Sequence, residues 1–318
     1  MRNFDDPIKI GFLLIPGFAL MSYASAIEPL RAANHIAGKE LYSLSNISIE
    51  DDSSACSTGH EISCNVNIDT AKSLDFLFVC AGGNPFSFQS RKVFTWLRSL
   101  AAAGVTLGGV SGGPVILAKA NVISGHRVTV HWEHEEAMGE TFPNAMIEHA
   151  LYIFDRKRIT CAGGVAPLDM MHALIAEHHG AAFAKKVSDW FLHTAVRPPG
   201  AAQRMGIAET YGTANPAILH AIEYMQNQIG SPPPLRKIAN YAGISERQLG
   251  RLFKEEIGES AALFFRKMRL NYAARLLRQS TMSVTEIGYA AGFSSGAHFS
   301  KCFSAEFSKS PIRVRKKA

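Results

Sequence analysis

The sequence predicts an α/β fold followed by an all-α one: a mostly parallel sheet sandwiched by helices, then a helical part with two helix-turn-helix motifs. Three observations predict it. Up to about Ala195, short apolar runs rich in β-branched residues or Phe alternate with helical stretches, the pattern of strands buried on both faces. Towards the C-terminus one motif is written twice. Ile238-Ala239-Asn240-Tyr241-Ala242-Gly243-Ile244-Ser245, continuing to Leu249 and Leu252-Phe253, returns as Ile287-Gly288-Tyr289-Ala290-Ala291-Gly292-Phe293-Ser294, continuing to Phe299 and Cys302-Phe303. The charge is also unevenly divided: residues 215–318 carry 16 Lys+Arg against 7 Asp+Glu, and residues 1–214 carry 17 against 20.

In the α/β part, strands are expected at Ile8 to Ile15, Phe76 to Cys80, Val105 to Val110 and Val128 to His131. Helices are expected near Ser22 to His35, Phe88 to Ala103, Pro114 to Ala120 and Val165 to His179. In such sheets ligands sit at the carboxyl ends of the strands. Those ends are Pro16-Gly17-Phe18, Ala81-Gly82-Gly83-Asn84-Pro85, Ser111-Gly112-Gly113 and His131-Trp132-Glu133.

Gly109-Val110-Ser111-Gly112-Gly113 fits G-x-S-x-G between a strand and a helix, the spacing of a nucleophile elbow, whose strained turn needs small neighbours. Hydrolysis would also need a base and an orienting acid. His131 is one candidate base; another triad would draw on Asp155 or Asp169 with His172, His178 or His179. No HGGG-type segment precedes the serine, so the reading is a glycine-rich turn that binds, with no catalytic residue assigned. Ser111, Gly112, His131, Trp132 and Glu133 are the expected ligand-binding set. Trp132 offers a ring to a ligand cation and Glu133 adds negative charge.

In each helix-turn-helix the second helix is the one that enters the DNA major groove, and two in tandem suit a monomer reading successive grooves. The positive charge belongs to this part, as counterion displacement from phosphate requires, and Arg313-Val314-Arg315-Lys316-Lys317 adds to it. In the first motif Leu249, Leu252, Phe253 and Ile257 face inward, leaving Arg247, Gln248, Arg251 and Lys254 for base edges or phosphates. In the second, Phe299, Phe303 and Phe307 face inward, leaving Gly296, Ala297, His298, Ser300 and Lys301. The offset between copies is 49 residues up to the serine and 50 after it, so the second copy carries one extra residue at its turn.

Other chemistry is excluded on composition and spacing. The five cysteines are scattered with no Cys-x-x-Cys pair, which suits free thiols in a reducing cytoplasm. The His131/His134 and His178-His179 pairs lack a third ligand at metal spacing, so neither metal nor other cofactor is expected. Ile10 to Ile27 resembles a signal peptide, but Asp5 and Asp6 cancel a positive leader and Pro16-Gly17 breaks the run. Ser99 to Ala118 is long enough for a membrane span, yet its glycines and proline read as helix end, strand, turn and new helix.

The C-terminal part resembles the DNA-binding domain of AraC/XylS transcription regulators. The likeness rests on Arg269-Leu270-x-x-Ala273-x-x-Leu276-Leu277, Ser283-Val284-x-x-Ile287-x-x-x-Ala291-Gly292-Phe293, and His298-Phe299-Ser300-Lys301-x-Phe303 with Pro311 and Arg315. It departs at Ser308, where the family usually has glycine, and at Val314, where an aromatic is common. The first 195 residues resemble the class I glutamine amidotransferase-like, PfpI-type fold, a flavodoxin-like sandwich. That likeness is carried by Gly109 to Ala118, Ser124 to Trp132, and Thr160-Cys161-Ala162-Gly163-Gly164 with Asp169. In that superfamily the elbow residue is a cysteine, a histidine follows at the position of His131, and an acidic partner follows the first strand. Here these positions hold Ser111, His131 and Ser22, with Glu28 a turn further on.

Together the likenesses imply a ligand-sensing domain over 1–195, a linker over 196–214 and a DNA-binding domain over 215–318. They imply a cytoplasmic transcriptional regulator, an activator of catabolic genes, responding to a small nitrogen metabolite such as arginine, glycine betaine or carnitine. The implied partners are double-stranded DNA, the small-molecule effector, RNA polymerase and a second copy paired through the N-terminal domain. The alternative is a PfpI-type hydrolase or amidase carrying a DNA-binding domain.

Overall fold

A computed structural model describes residues 6–71 and 73–315; Asp5 and Lys316-Lys317 of the basic tail lie outside them. The chain divides into two units, residues 1–203 and 204–318.

In the first unit the order is β1 (Ile8–Leu14), α1 (Leu20–Ala37), β2 (Tyr42–Ser48), β3 (Ser53–Ala55), β4 (Glu61–Ser63), β5 (Val66–Asn67), β6 (Phe76–Ala81), α2 (Arg91–Ala102), β7 (Thr106–Ser111), α3 (Gly113–Lys119), β8 (Arg127–Val128), α4 (Trp132–Thr141), β9 (Met146–Ile147), β10 (Tyr152–Asp155), β11 (Arg158–Cys161), α5 (Ala166–His179) and α6 (Ala181–Trp190). Seven strands form one sheet in the order β10-β11-β7-β6-β1-β2-β5. Every pairing in it is parallel except the β10–β11 hairpin. The central strands β1, β6 and β7 are buried nearly throughout, which is why they read as uninterrupted apolar runs. Phe12, Phe18, Phe78, Leu30, Met170 and Leu174 belong to the core that joins this sheet to α1 and α5.

The structure corrects one strand. Of Val128 to His131, only Val128 is in a strand, and it pairs with β9 in a separate two-stranded ladder rather than in the main sheet. Beyond β7 the sheet continues into β11 and then the antiparallel β10. The next amide, Thr129 N, is satisfied by a side chain instead, donating to Thr160 Oγ1 at 2.9 Å, while Thr129 Oγ1 donates to Ala150 O at 2.7 Å. Past Val128 the β-branched run thus leaves the ladder, its polar groups satisfied by side chains and loop carbonyls instead. Four strands of the main sheet, β2, β5, β10 and β11, and the helices α4 and α6 were not expected from the sequence.

The second unit contains α7 (Ile207–Tyr211), α8 (Pro216–Asn227), α9 (Leu235–Tyr241), α10 (Glu246–Leu252) running into a wide π-helical turn (Phe253–Ile257), α11 (Ala261–Gln279), α12 (Val284–Ala290), α13 (Gly296–Phe307) and α14 (Pro311–Arg315). The two motifs are α9–α10 and α12–α13. Each turn has its glycine at φ 73°, Gly243 and Gly292. Ser245 caps α10 and Ser295 caps α13, so the extra residue of the second copy lies between glycine and cap. The departure at Ser308 has a physical meaning: it ends α13 at φ 54°, a left-handed position where glycine costs least.

The expected linker is partly built into structure. Arg197, Pro199 and Gln203 are hydrogen-bonded within the first unit, and Ile207–Tyr211 is helical. Among the described residues no helix is long and apolar enough to cross a membrane; the apolar stretch from Ile10 is strand, turn and helix.

Candidate functional site

Ser111 ends β7 and is buried, with φ 60°. A non-glycine residue at positive φ stores about 1–3 kcal/mol of strain, and the surrounding backbone holds it there. Gly112 N donates to Ala81 O at 3.0 Å. Gly163, from the loop after β11, comes closest: a Cβ built on it would stand 2.7 Å from Ser111 Cβ and 2.9 Å from Ser22 Oγ. The elbow, the start of α1 and the β11 loop therefore converge on one point. Ser22 is buried there, and its hydroxyl accepts from Gly164 N at 2.8 Å. Glu28 is elsewhere, paired with Arg31 at 2.7 Å on the exposed face of α1.

His131 joins this cluster through its backbone, its N–H lying 3.5 Å from Ser111 O. Its ring caps α4: Nδ1 accepts from Glu133 N at 3.3 Å, which places any ring proton on Nε2. Burial, opposed by Glu133, pushes the imidazole below its ordinary pKa. Trp132 is partly buried, its ring 5.3 Å from that of His131, and its backbone N–H donates to Gln203 Oε1 at 2.8 Å. Glu133 is partly exposed. Among the described residues no hydrogen bond joins the Ser111 hydroxyl to the His131 ring.

The alternative triad partners are engaged elsewhere. Asp155 accepts from Arg127 N and the Arg156 side chain, which hold its carboxyl below the usual range. His172 pairs with Ser188 at 2.7 Å, and the Tyr42 hydroxyl meets His178 at 3.1 Å. Asp169, fully buried, takes His193 Nε2 at 2.7 Å and three bonds from Arg197 at 2.6 to 2.9 Å. The five cysteines are free and four are buried; burial pushes Cys161 beside the elbow up to about 12. No cluster of three metal-ligating side chains occurs among the described residues.

The neutral His131 has a consequence for stability. His126, His172 and His179 are also lowered, chiefly by burial. A histidine with a depressed folded pKa contributes stability above its unfolded value, about 6.5, and loses it as pH falls. The melting temperature should therefore drop between pH 7.5 and 5.5, and His131→Gln should flatten that slope without removing it. A slope unchanged by the substitution would show that His131 does not titrate in this range.

In the second unit Leu249 and Phe253 are buried, while Arg247, Gln248 and Arg251 on α10 and Lys254 in the π-helical turn after it are exposed. Gln248 has a structural engagement as well: its Oε1 accepts from Ser245 N at 2.9 Å in a capping box. Arg251 reaches towards Glu255 at 3.9 Å. On α13, Phe299 and Phe303 are buried, Ala297, His298 and Lys301 are exposed, and Gly296 and Ser300 are partly exposed. Two supports of this motif have roles that the sequence did not show. Arg269 of α11 donates to Ala291 O and Gly292 O, both at 2.8 Å, with its guanidinium 4.3 Å from the Phe293 ring centre. Pro232 packs against Gly292, where an added Cβ would lie 2.5 Å from its Cδ.

The helix-turn-helix domain family matches residues 238–317, and the DJ-1/PfpI family matches residues 8–177. The chain is similar to the HTH-type transcriptional regulator GlxA of Rhizobium meliloti (45% identical, covering 98% of this chain and 96% of the relative). It is also similar to the HTH-type transcriptional regulator CdhR of Pseudomonas aeruginosa (36%, covering 96% and 90%). Among solved structures, an AraC family transcriptional regulator from Pseudomonas putida superposes with TM-score 0.54 at 24% identity, over 58% of this chain and all of that one. A ThiJ/PfpI family protein from Pseudomonas syringae gives TM-score 0.54 at 20% identity, over 75% and 92%. At such identities these two show the fold alone. The full-length relatives and the two family matches meet on one architecture: the chain belongs to the AraC-type transcriptional regulators with a DJ-1/PfpI N-terminal domain, and is a DNA-binding regulator of transcription.

Proposed function

We propose that this regulator binds a small nitrogen metabolite at the Ser111 elbow, an amino acid or quaternary ammonium compound of the arginine, glycine betaine or carnitine type, without turning it over. One observation carries the non-catalytic part: the elbow is built and strained, yet His131 Nδ1 is spent on capping α4 and the acidic partner's place holds Ser22, tied to Gly164. A serine without a coupled base is a weak nucleophile. Trp132 and Glu133 supply a ring and a carboxylate suited to a cationic ligand. The positive φ of Ser111 favours the second reading, a hydrolase or amidase, and Ser111→Ala separates the two, because a hydrolase would lose turnover and a sensor would keep its response. The regulator acts in the cytoplasm as an activator of catabolic genes, pairing through its first unit and contacting RNA polymerase.

The DNA contacts are Arg247, Gln248, Arg251 and Lys254 in the first head and Gly296, Ala297, His298, Ser300 and Lys301 in the second. The first head carries more base-reading chemistry, since Ala297 offers only a methyl contact to thymine. Arg251→Ala tests this by fluorescence anisotropy on a duplex enriched by the protein from a random pool. If Arg251 reads guanine, affinity falls by about 1–3 kcal/mol and specificity relaxes at one position; if it binds phosphate, the salt slope drops by about 1 instead. Affinity, specificity and salt slope all unchanged would take Arg251 out of the interface.

A further inference from the structure

The chain leaves the first unit along a strap, residues 191–203, held by polar bonds more than by burial. Most of its residues are exposed, and Phe191 and Ala201 pack partly against the core. Arg197 and His193 fasten it to Asp169, and Leu151 N donates to Pro199 O at 2.7 Å. Gln203 closes it. Its amide nitrogen donates to Val130 O at 3.0 Å and Ala150 O at 2.8 Å, with Thr129 Oγ1 at 3.1 Å, and its Oε1 accepts from Trp132 N at 2.8 Å.

Gln203 thus bonds to the residue before His131 and to the residue after it. His131 is the residue whose own N–H faces Ser111 O. Arg204, the next residue in the chain, begins the second unit.

We infer that Gln203 is a positioning residue that couples the elbow to the DNA-binding unit, so that elbow occupancy and DNA engagement bias the same clasp. The inference rests on the elbow being the effector site. A ligand seated against Ser111 and His131 displaces the 130–132 turn, and hydrogen bonds weaken steeply with small changes in distance and angle. Segments with few buried apolar contacts open at low free energy, so the strap is the part of this unit that such a displacement releases most readily. Coupling of this kind is reciprocal: DNA bound to the second unit must alter the elbow as the elbow alters DNA binding.

Reciprocity allows a test that needs no effector. The probe is a DNA duplex enriched by the full chain from a random-sequence pool, and the readout is hydrogen exchange of peptides covering residues 109–113 and 129–133, with and without duplex. In the wild type the duplex should change exchange there at least threefold. In Gln203→Ala, and in the near-isosteric Gln203→Glu, which cannot donate to the Val130 and Ala150 carbonyls, that change should vanish while duplex affinity stays within about threefold. An equal change in all three proteins, or none in the wild type, overturns the inference. Loss of protection throughout β1, β6 and β7 in both variants would make Gln203 merely structural and overturn it too. Failure of the effector reading shows separately, as an elbow that binds no metabolite, since none is present in this experiment.

Discussion

Gly292→Ala should cost about 3 kcal/mol and disable the second reading head, whereas Gly243→Ala, at the same place in the first motif, should cost only about 1–2 kcal/mol. Both glycines have φ 73°, so both substitutions pay for a left-handed alanine. They differ in space. Nothing lies within 4 Å of a Cβ on Gly243, but one on Gly292 would stand 2.5 Å from Pro232 Cδ and 2.6 Å from Ile229 O. The backbone oxygen cannot swing away, so the turn must shift, taking with it the Ala291 and Gly292 carbonyls that Arg269 holds. Urea unfolding and duplex anisotropy on both variants check this. Equal costs would mean that the Pro232 segment does not pack on the second turn.

Asp169→Asn should cost the first unit about 3 kcal/mol, near the lower end for breaking a buried ion pair because the Arg197 side chain stays 37% exposed. The carboxylate has no exposure and accepts four hydrogen bonds. An asparagine offers only one oxygen and turns N–H groups towards donors. The expected result is a lower urea midpoint and faster hydrogen exchange over residues 192–203 than over β1 or β6. An unchanged midpoint would show that the strap contributes nothing to the unit.

The sequence carries these features unevenly, for physical reasons. The duplicated motif was legible because apolar spacing, a turn glycine and a capping serine are all local signals, and β1, β6 and β7 because burial on both faces leaves unbroken apolar runs. β2 was not: Ser43, Ser45 and Asn46 interrupt its pattern, and only pairing with β1 defines it. The Ser111 elbow stood out through its glycines, but the ring of His131 proved to be a helix cap, which spacing does not reveal. The strap was silent because its bonds are long-range: Arg197 lies 28 residues from Asp169 and Gln203 lies 71 from Trp132. A polar residue in a loop gives no hint of such partners.

The central claim, a regulator controlled through an elbow that binds without catalysis, is tested most directly by Ser111→Ala. The measurement is affinity of the full chain for its selected duplex at fixed salt, with and without arginine, glycine betaine or carnitine, alongside an assay for consumption of each. Loss of one hydrogen bond to ligand costs about 0.5–1.5 kcal/mol. The variant should therefore keep the metabolite-dependent change in DNA affinity, at up to about tenfold higher metabolite concentration, and neither protein should consume the compound. Turnover by the wild type that disappears in Ser111→Ala, or DNA affinity indifferent to every metabolite in both proteins, would contradict the account.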